Sequence, residues 1–569
     1  MAFRIIICFY LFLLSPSLSS SLNPPLCNSH DSIALLHFKN SLSLDHSASE
    51  ECNYFYYYDD NGDTSTIPSK HPSYPKTALW GNDSNCCLWD GITCDSTSGH
   101  VIGLDLSCSW LQGQLHPNNS LFRLSHLQAL NLAFNNFSGS LILPQFGDLS
   151  ILVHLNLSCS CFVGEIPPKI AELSKLVSLD LSRNEFYPYD EWLGLRLEPS
   201  TWEKLALNMT NLRELVLDHV NMSSIAPSSL SLKLLDILSL EGCKIDGPIP
   251  TSFGNLTQLI DLNLAANNFS GDLSFLSNLQ SLASLDLSGN YFSGLLPNSI
   301  GHLKSLDFLG LQYNEFHGPI PVNFENLTRL TYLDLADNIF SGKLSFLPNM
   351  PSLTSLYLSY NYFSSLSSDV FGNLSNLEFL DFSDNKLQGL SNLRRLHLDD
   401  NKLQGLPESI FGFLNLSVLS LSSNNLRGPI SLHPFSKLQN LEYLDLSNNK
   451  FLSLSSNNDV HYTIPNLTLL DLSSCNINDF SKQLGSVQNL KELNLSNNKI
   501  HGDIPQWFNN VGNGSLSALY LSHNNLTSVE HLSMRNLFAL DLSFNLLQGN
   551  LLIPSFGIEA TSQSALLLS

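Results

Sequence analysis

A chain of 569 residues is long enough for several ordinary domains or for one long array of repeats. Hydrophobic residues make up 43% and charged residues 14%, which allows a buried core and excludes a disordered chain. The net charge of −23, from 27 Lys+Arg against 50 Asp+Glu, repels phosphate backbones and argues against a nucleic-acid partner.

The first element, residues 1–21, reads as a signal peptide. Arg4 supplies the positive start, residues 5–14 form an apolar run, and small residues surround Pro16. That run is about half of the ~20 residues that cross a bilayer, so it reads as a cleaved signal and not as an anchor. No later stretch approaches transmembrane length. The chain as given is therefore expected in the secretory pathway and outside the cell. Sequons occur at Asn82, Asn118, Asn136, Asn208, Asn221, Asn255, Asn268, Asn326, Asn373, Asn415, Asn466, Asn513 and Asn525, all read as glycosylation sites. Asn156 and Asn494 are also sequons, but each falls inside a strand phrase, where glycan is expected less often.

Residues 22–98 read as a cap. Leu35, Phe38 and Leu42 have helical spacing, with Asn28 or Ser29 placed to cap the helix. Five of the eleven cysteines lie between Cys27 and Cys94, as in oxidised exported domains. Adjacent Cys86 and Cys87 do not pair readily with each other, so Cys27–Cys86 and Cys87–Cys94 is the natural scheme. Four cysteines permit three pairings, and the others stay open, as do the partners of Cys52, Cys108, Cys159 and Cys161. No Cys/His quartet has zinc spacing, and neither a metal nor a cofactor is expected.

Residues 99–552 repeat one phrase, L-x-x-L-x-L-x-x-N. It begins at Val101, Leu127, Leu152, Leu176, Leu212, Leu235, Leu259, Leu282, Leu306, Leu330, Leu353, Leu377, Leu393, Leu416, Leu441, Leu467, Leu490, Leu516 and Leu537. Nineteen units at a mean period of about 24 residues cannot arise by chance. The fourth and sixth residues, such as Leu285 and Leu287, alternate inward on a short strand. The ninth is mostly Asn (Asn135, Asn267, Asn314, Asn545), an amide able to satisfy backbone groups of the turn. No unit buries its own Leu face, so the units must stack as a solenoid with a parallel sheet on the concave side. Several units continue as G-x-I-P, for example Gly164-Glu165-Ile166-Pro167 and Gly318-Pro319-Ile320-Pro321. The period breaks twice: 176–212 carries about twelve extra residues, and 377–393 spans only 16, where distorted stacking is expected. Residues 553–569 read as a polar, non-repeat tail.

No phosphate-loop, zinc-protease, nucleophile-elbow or kinase phrase is present, and the chain is not read as an enzyme. Cys243 and Cys475 stand at ninth positions, where Cys replaces Asn structurally. The fifth-position acids, Asp105, Asp180, Asp286, Asp334, Asp381, Asp445, Asp471 and Asp541, read as part of the repeat phrase and not as a calcium ladder. A candidate ligand-binding patch comes from solvent-facing positions: Phe308, Tyr313, Tyr332, Tyr357, Tyr360 and Phe379, followed by Arg394, Arg395, His397, Asp399 and Asp400. Aromatic anchors beside Arg are the residue types of binding hot spots.

The G-x-I-P extension and the period resemble the plant-specific class of leucine-rich repeats, which implies an α/β solenoid, a second short strand per coil and a superhelical twist. The cap phrases Phe38-Lys39-Asn40-Ser41 and Cys86-Cys87-Leu88-Trp89-Asp90-Gly91-Ile92-Thr93-Cys94-Asp95 are similar to those of plant receptor-like proteins, above all the Cf-type pathogen-resistance receptors. Leu104-Asp105-Leu106-Ser107-Cys108-Ser109 and the unit at Leu212 are similar as well. The resemblance implies an ectodomain that recognises an extracellular peptide, protein or glycan in plant defence. It also implies plasma-membrane localisation and signalling through adaptor and co-receptor kinases, and beside receptors that carry a C-terminal cap and a transmembrane helix this chain reads as truncated at the C-terminus. The alternative is a secreted inhibitor like the polygalacturonase-inhibiting proteins, which are about half as long.

Overall fold

The computed structural model describes residues 26–58, 64–69, 72–81, 84–186, 193–229, 234–365, 376–377, 379–381, 385, 394–399, 401, 403–406, 408–455, 462–529, 532, 536–548 and 565–567. The segment 1–21, Asn82, Asn373, Asp400, residues 386–393 and most of 553–569 lie outside these. The chain forms two compact units, Met1–Tyr291 and Phe292–Ser569.

The first unit opens with helix α1, Ser29–Asn40, whose N-cap Asn28 accepts from the His30 backbone N–H at 2.9 Å. Ala34, Leu35 and Phe38 are buried, but Leu42 lies past the helix and is half-buried. Three disulfides join the cap: Cys27–Cys86, Cys87–Cys94 and Cys52–Cys108. The last ties residues far apart in sequence and was open from the spacing alone. Ile92–Cys94 pairs antiparallel with Val101–Asp105, and from there the pairing turns parallel.

Strands Ala129–Asn131, His154–Asn156, Ser178–Asp180, Glu214–Val216, Ile237–Ser239, Asp261–Asn263 and Ser284–Asp286 follow in unbroken register. Each is three residues long, with the fourth-position Leu at its centre and buried. The chain returns through short 3-10 turns such as Pro144–Asp148 and Pro168–Glu172, where Pro presets the first φ and Phe146 or Ile170 points inward. The long spacing after Asn184 forms a hairpin, Glu185–Phe186 against Leu193–Arg196, followed by helix α2, Pro199–Asn208. Helix α2 replaces the usual 3-10 turn. Its Trp202 is buried and donates Nε1–H to the Ser229 carbonyl at 2.9 Å.

In the second unit Phe308–Gly310, Tyr332–Asp334, Ser355–Tyr357 and Phe379–Asp381 form one parallel ladder. A second ladder runs from Arg395–His397 through Val418–Ser420, Tyr443–Asp445, Leu469–Asp471, Glu492–Asn494 and Ala518–Tyr520 to Ala539–Asp541. Among the described residues Phe379–Asp381 and Arg395–His397 belong to different sheets, which is where the 16-residue spacing falls. Asn401 there accepts from the Leu377 N–H at 3.0 Å, the first residue of a phrase, instead of a residue just past a ninth position. The outer strands Glu315–Pro319, Ile339–Lys343 and Tyr362–Ser365 form the second sheet. Behind them Phe292, Phe316, Phe340 and Phe363 stack at 5.9–6.3 Å. In the tail, Ala565–Leu567 pairs in parallel with Ala539–Asp541, aligning Leu566 with Leu540. Ala565-Leu566-Leu567-Leu568 is an unbroken apolar run without the alternation of the repeat phrase.

Candidate ligand-binding surface

In the second unit the outward residues of the first ladder carry rings. Phe308 pairs with Tyr332 across adjacent strands, and their rings stack at 4.5 Å and 8°. Tyr332 meets Tyr357 diagonally at 5.7 Å and 47°. The inward neighbours Leu309, Leu333 and Leu356 are fully buried, so this row is built on a sealed core. The row is half-exposed and packs partly on itself. The Tyr332 hydroxyl donates to Asp334 Oδ2 at 3.2 Å. Tyr443 and Asp445 in the second ladder repeat that arrangement, also at 3.2 Å. Burial, then Asp445, pushes the Tyr443 phenol up to about 12. Tyr443 was not among the sequence candidates, although the shared phrase Tyr-Leu-Asp-Leu at 332–335 and 443–446 is a signal that finds it.

The structure separates the other candidates. Tyr313 and Tyr360 do not lie in the strand row. Both stand at eighth positions, in the turn after the strand, with φ of 57° and 52°. The strands are only three residues long, so strict alternation does not reach the eighth residue. Phe379 lies in the first ladder beside Ser355. Arg394, Arg395 and His397 are exposed on the second ladder and share no sheet with the aromatic row. Asp399 is engaged locally: Ser420 and Ser422 hydroxyls donate to its Oδ1, and His397 Nδ1 is 3.4 Å from its Oδ2.

The fifth-position acids have a structural task. Asp286, Asp445, Asp471 and Asp541 each accept from the backbone N–H two residues on, at 2.8–3.0 Å, and Asp286 and Asp541 also from that residue's Ser hydroxyl. Asn156 and Asn494 do the same. This closes the turn after the strand and explains Leu-Asp-Leu-Ser as a phrase. Cys243 Sγ donates to the Leu217 carbonyl at 3.1 Å and Cys475 Sγ to the Leu446 carbonyl at 3.4 Å. Burial raises the thiol of Cys243 and pushes that of Cys475 up to about 12, so both are poor nucleophiles. The sulfurs of Cys27, Cys86 and Cys87 lie together, but each is committed to a disulfide, which leaves no thiolate for a metal.

Comparison with known proteins places this architecture. The model described as Leucine rich repeat N-terminal domain matches residues 28–50 and 67–95. The models described as Leucine rich repeat match 234–256 and 281–303, and 351–392, 391–451 and 465–526. Receptor-like protein Cf-9 of Solanum pimpinellifolium is 41% identical over 258 residues, 45% of this chain and 28% of that protein. Receptor-like protein 7 of Arabidopsis thaliana is 39% identical over 530 residues, 85% of this chain and 54% of that protein. Over most of its length the chain is similar to the leucine-rich-repeat receptor-like proteins of plants, Cf-9 among them.

The chain spans about half or less of the length of the curated relatives it matches. Among solved structures it is similar to the Arabidopsis receptor kinase HAESA in complex with the peptide hormone IDA and the co-receptor SERK1, at 25% identity over 91% of this chain and 90% of that one, TM-score 0.41. It is also similar to the plant peptide hormone receptor RGFR1 in complex with RGF2, at 24% identity over 81% of this chain and 96% of that one, TM-score 0.42. Among the described residues no helix is long and apolar enough to cross a membrane. Of the sequons, Asn118, Asn208, Asn255, Asn268, Asn326, Asn415, Asn466, Asn513 and Asn525 are exposed, and Asn136 and Asn221 are half-buried. Asn156 and Asn494 sit on concave strands, between buried leucines.

Proposed function

We propose that this receptor-like protein recognises an extracellular peptide, protein or glycan through the aromatic row of its second unit. It serves plant defence, acts at the plasma membrane, and passes the signal to adaptor and co-receptor kinases without catalysis of its own. The observation that carries this reading is the stack of Phe308, Tyr332 and Tyr357 on the outward face of strands whose inward face is sealed by leucine. Rings held half-exposed in register offer contact area at little entropic cost. Kinship with Cf-9 and its relatives supports the defence role.

The test replaces Tyr332, Tyr357 and Arg395 with Ala and measures binders selected from a random peptide library on the secreted chain. Loss of interface anchors costs about 2 kcal/mol or more, close to a thirtyfold loss of affinity. Stability falls by only about 1 kcal/mol, the worth of the broken ring pair. Leu333→Ala is the control: it opens a cavity, costs roughly 2–5 kcal/mol of stability and reduces secretion. A triple variant that holds the binders as tightly as the parent overturns the reading.

A further inference from the structure

Eighth-position residues stand just past the concave strands in the left-handed backbone region. In the second unit three consecutive coils place Tyr313, Asp337 and Tyr360 there, at φ of 57°, 50° and 52°. Their backbones are laced together: Asn314 N–H donates to the Asp337 carbonyl and Asn338 N–H to the Tyr360 carbonyl, each at 3.2 Å. Tyr313 N–H donates to the Ala336 carbonyl at 3.1 Å and Asp337 N–H to the Ser359 carbonyl at 3.0 Å. Later coils of the same unit carry Ser423, Asn448, Ser474 and Asn497 at this position, small polar residues that the conformation tolerates better than a large ring, and the last two carry the rings of His523 and Phe544.

The distance between neighbouring eighth-position side chains is visible in the same unit, where the rings of His523 and Phe544 stack at 4.2 Å and 11°. Two rings with one coil between them stand about two stacking distances apart, room for a flat cation between their faces. Asp337 occupies the intervening coil with a shorter side chain, which sets a carboxylate between the two phenol-bearing positions. Tyr313 is 63% exposed and Tyr360 56%. Asp337 is half-buried, and no described residue donates a hydrogen bond to its carboxylate or pairs with it as a cation. Its charge is felt by the Tyr313 phenol. Gln312, the residue before Tyr313, has its Oε1 buried and without a hydrogen-bond partner. A half-buried carboxylate therefore stands at the position between two exposed tyrosines.

We propose that Tyr313, Asp337 and Tyr360 form a slot for a basic side chain, an Arg or Lys of the ligand that the neighbouring aromatic row recognises; the inference rests on that reading. The ring faces attract the cation, and Asp337 accepts charge-assisted hydrogen bonds from it. The net charge of −23 draws basic ligands toward the surface.

The experiment selects a random peptide library on the secreted chain and resynthesises the enriched peptides with each Arg replaced by citrulline and each Lys by norleucine. Neutralising one basic residue should weaken binding to the parent by about tenfold or more. The same swap should have little effect on Asp337→Asn, which keeps the shape and the left-handed conformation. Tyr313→Asn and Tyr360→Asn, also tolerated at positive φ, should each weaken the basic peptide and leave the citrulline peptide unchanged. Peptides that tolerate citrulline on the parent, or lose equally on the parent and on Asp337→Asn, overturn the slot. If such peptides still fail on the Tyr332/Tyr357/Arg395 variant, the concave-face reading survives without the slot. A selection that enriches no peptide above bare support overturns both.

Discussion

The side chain of Asn449 is fully buried, and its Nδ2 reaches the carbonyls of Leu421, Leu446 and Ser447 at 2.9–3.2 Å. Its Oδ1 accepts from the Leu426 N–H at 3.0 Å. One amide thus satisfies backbone groups of its own turn and of the coil before it, and Asn135, Asn424 and Asn498 do likewise. Asn449→Ala should lower stability by about 2–3 kcal/mol, because these groups stay buried without partners. Asn449→Cys should cost less, since Cys475 shows that a thiol here still donates to two carbonyls. Equal losses for Ala and Cys in denaturant titrations would show that side-chain volume, and not hydrogen bonding, governs the position.

At the scale of elements, the concave strands of the first unit and the turns that follow them bury acids. Asp218 accepts from Ser239 Oγ at 2.6 Å and from the Glu241 N–H at 3.0 Å, with Arg183 beside Glu241 at 3.4 Å. Burial lifts its carboxyl from 3.8 to about 6, and burial also raises Asp180 and Glu214. The folded state holds these protons more tightly than the unfolded chain does. The stabilisation is therefore complete below pH 3.8 and is lost as pH climbs through about 6. Thermal melts between pH 4 and 7 should show stability falling as pH rises, by at most about 3 kcal/mol from Asp218. Asp218→Asn should flatten the profile; an equally steep slope in that variant would place the titration elsewhere. None of this was legible in the sequence, where Asp218 is one more polar residue after a Leu. The Leu register and the ninth-position amides were legible, because spacing alone dictates them. Tyr313 and Tyr360 were misplaced because alternation was carried past three-residue strands into a turn. The division between Phe379 and Arg395 followed from a short spacing whose effect on pairing only the register of both ladders reveals.

At the scale of the molecule, each coil bonds to the coils beside it, so disturbance should fade with distance along the stack. The cap offers a direct measure. Residues 43–53 are pinned to the first coils by four kinds of contact. Ser43–Leu44 pairs with Leu111–Gln112, Ser49 Oγ donates to the Phe134 carbonyl at 2.7 Å, and Trp110 N–H donates to Ser49 Oγ at 2.9 Å. The fourth is Cys52–Cys108, which closes a loop of 56 residues. Loop-closure entropy makes such a bridge worth about 4 kcal/mol, before any loss to strain or residual structure. Replacing both cysteines with Ser should leave α1 and the two other disulfides in place but loosen the 43–53 segment. Hydrogen exchange should then speed most at Trp110, Leu111 and Gly113, whose amides bond Ser49, Asn135 and the Asn136 carbonyl. It should quicken less at Ala129 and hardly at all at Leu262 and Leu285, several coils away in the same unit. Acceleration of equal size at Leu285 would mean that the unit opens as a single cooperative block, and that the cap governs the stability of all its coils at once.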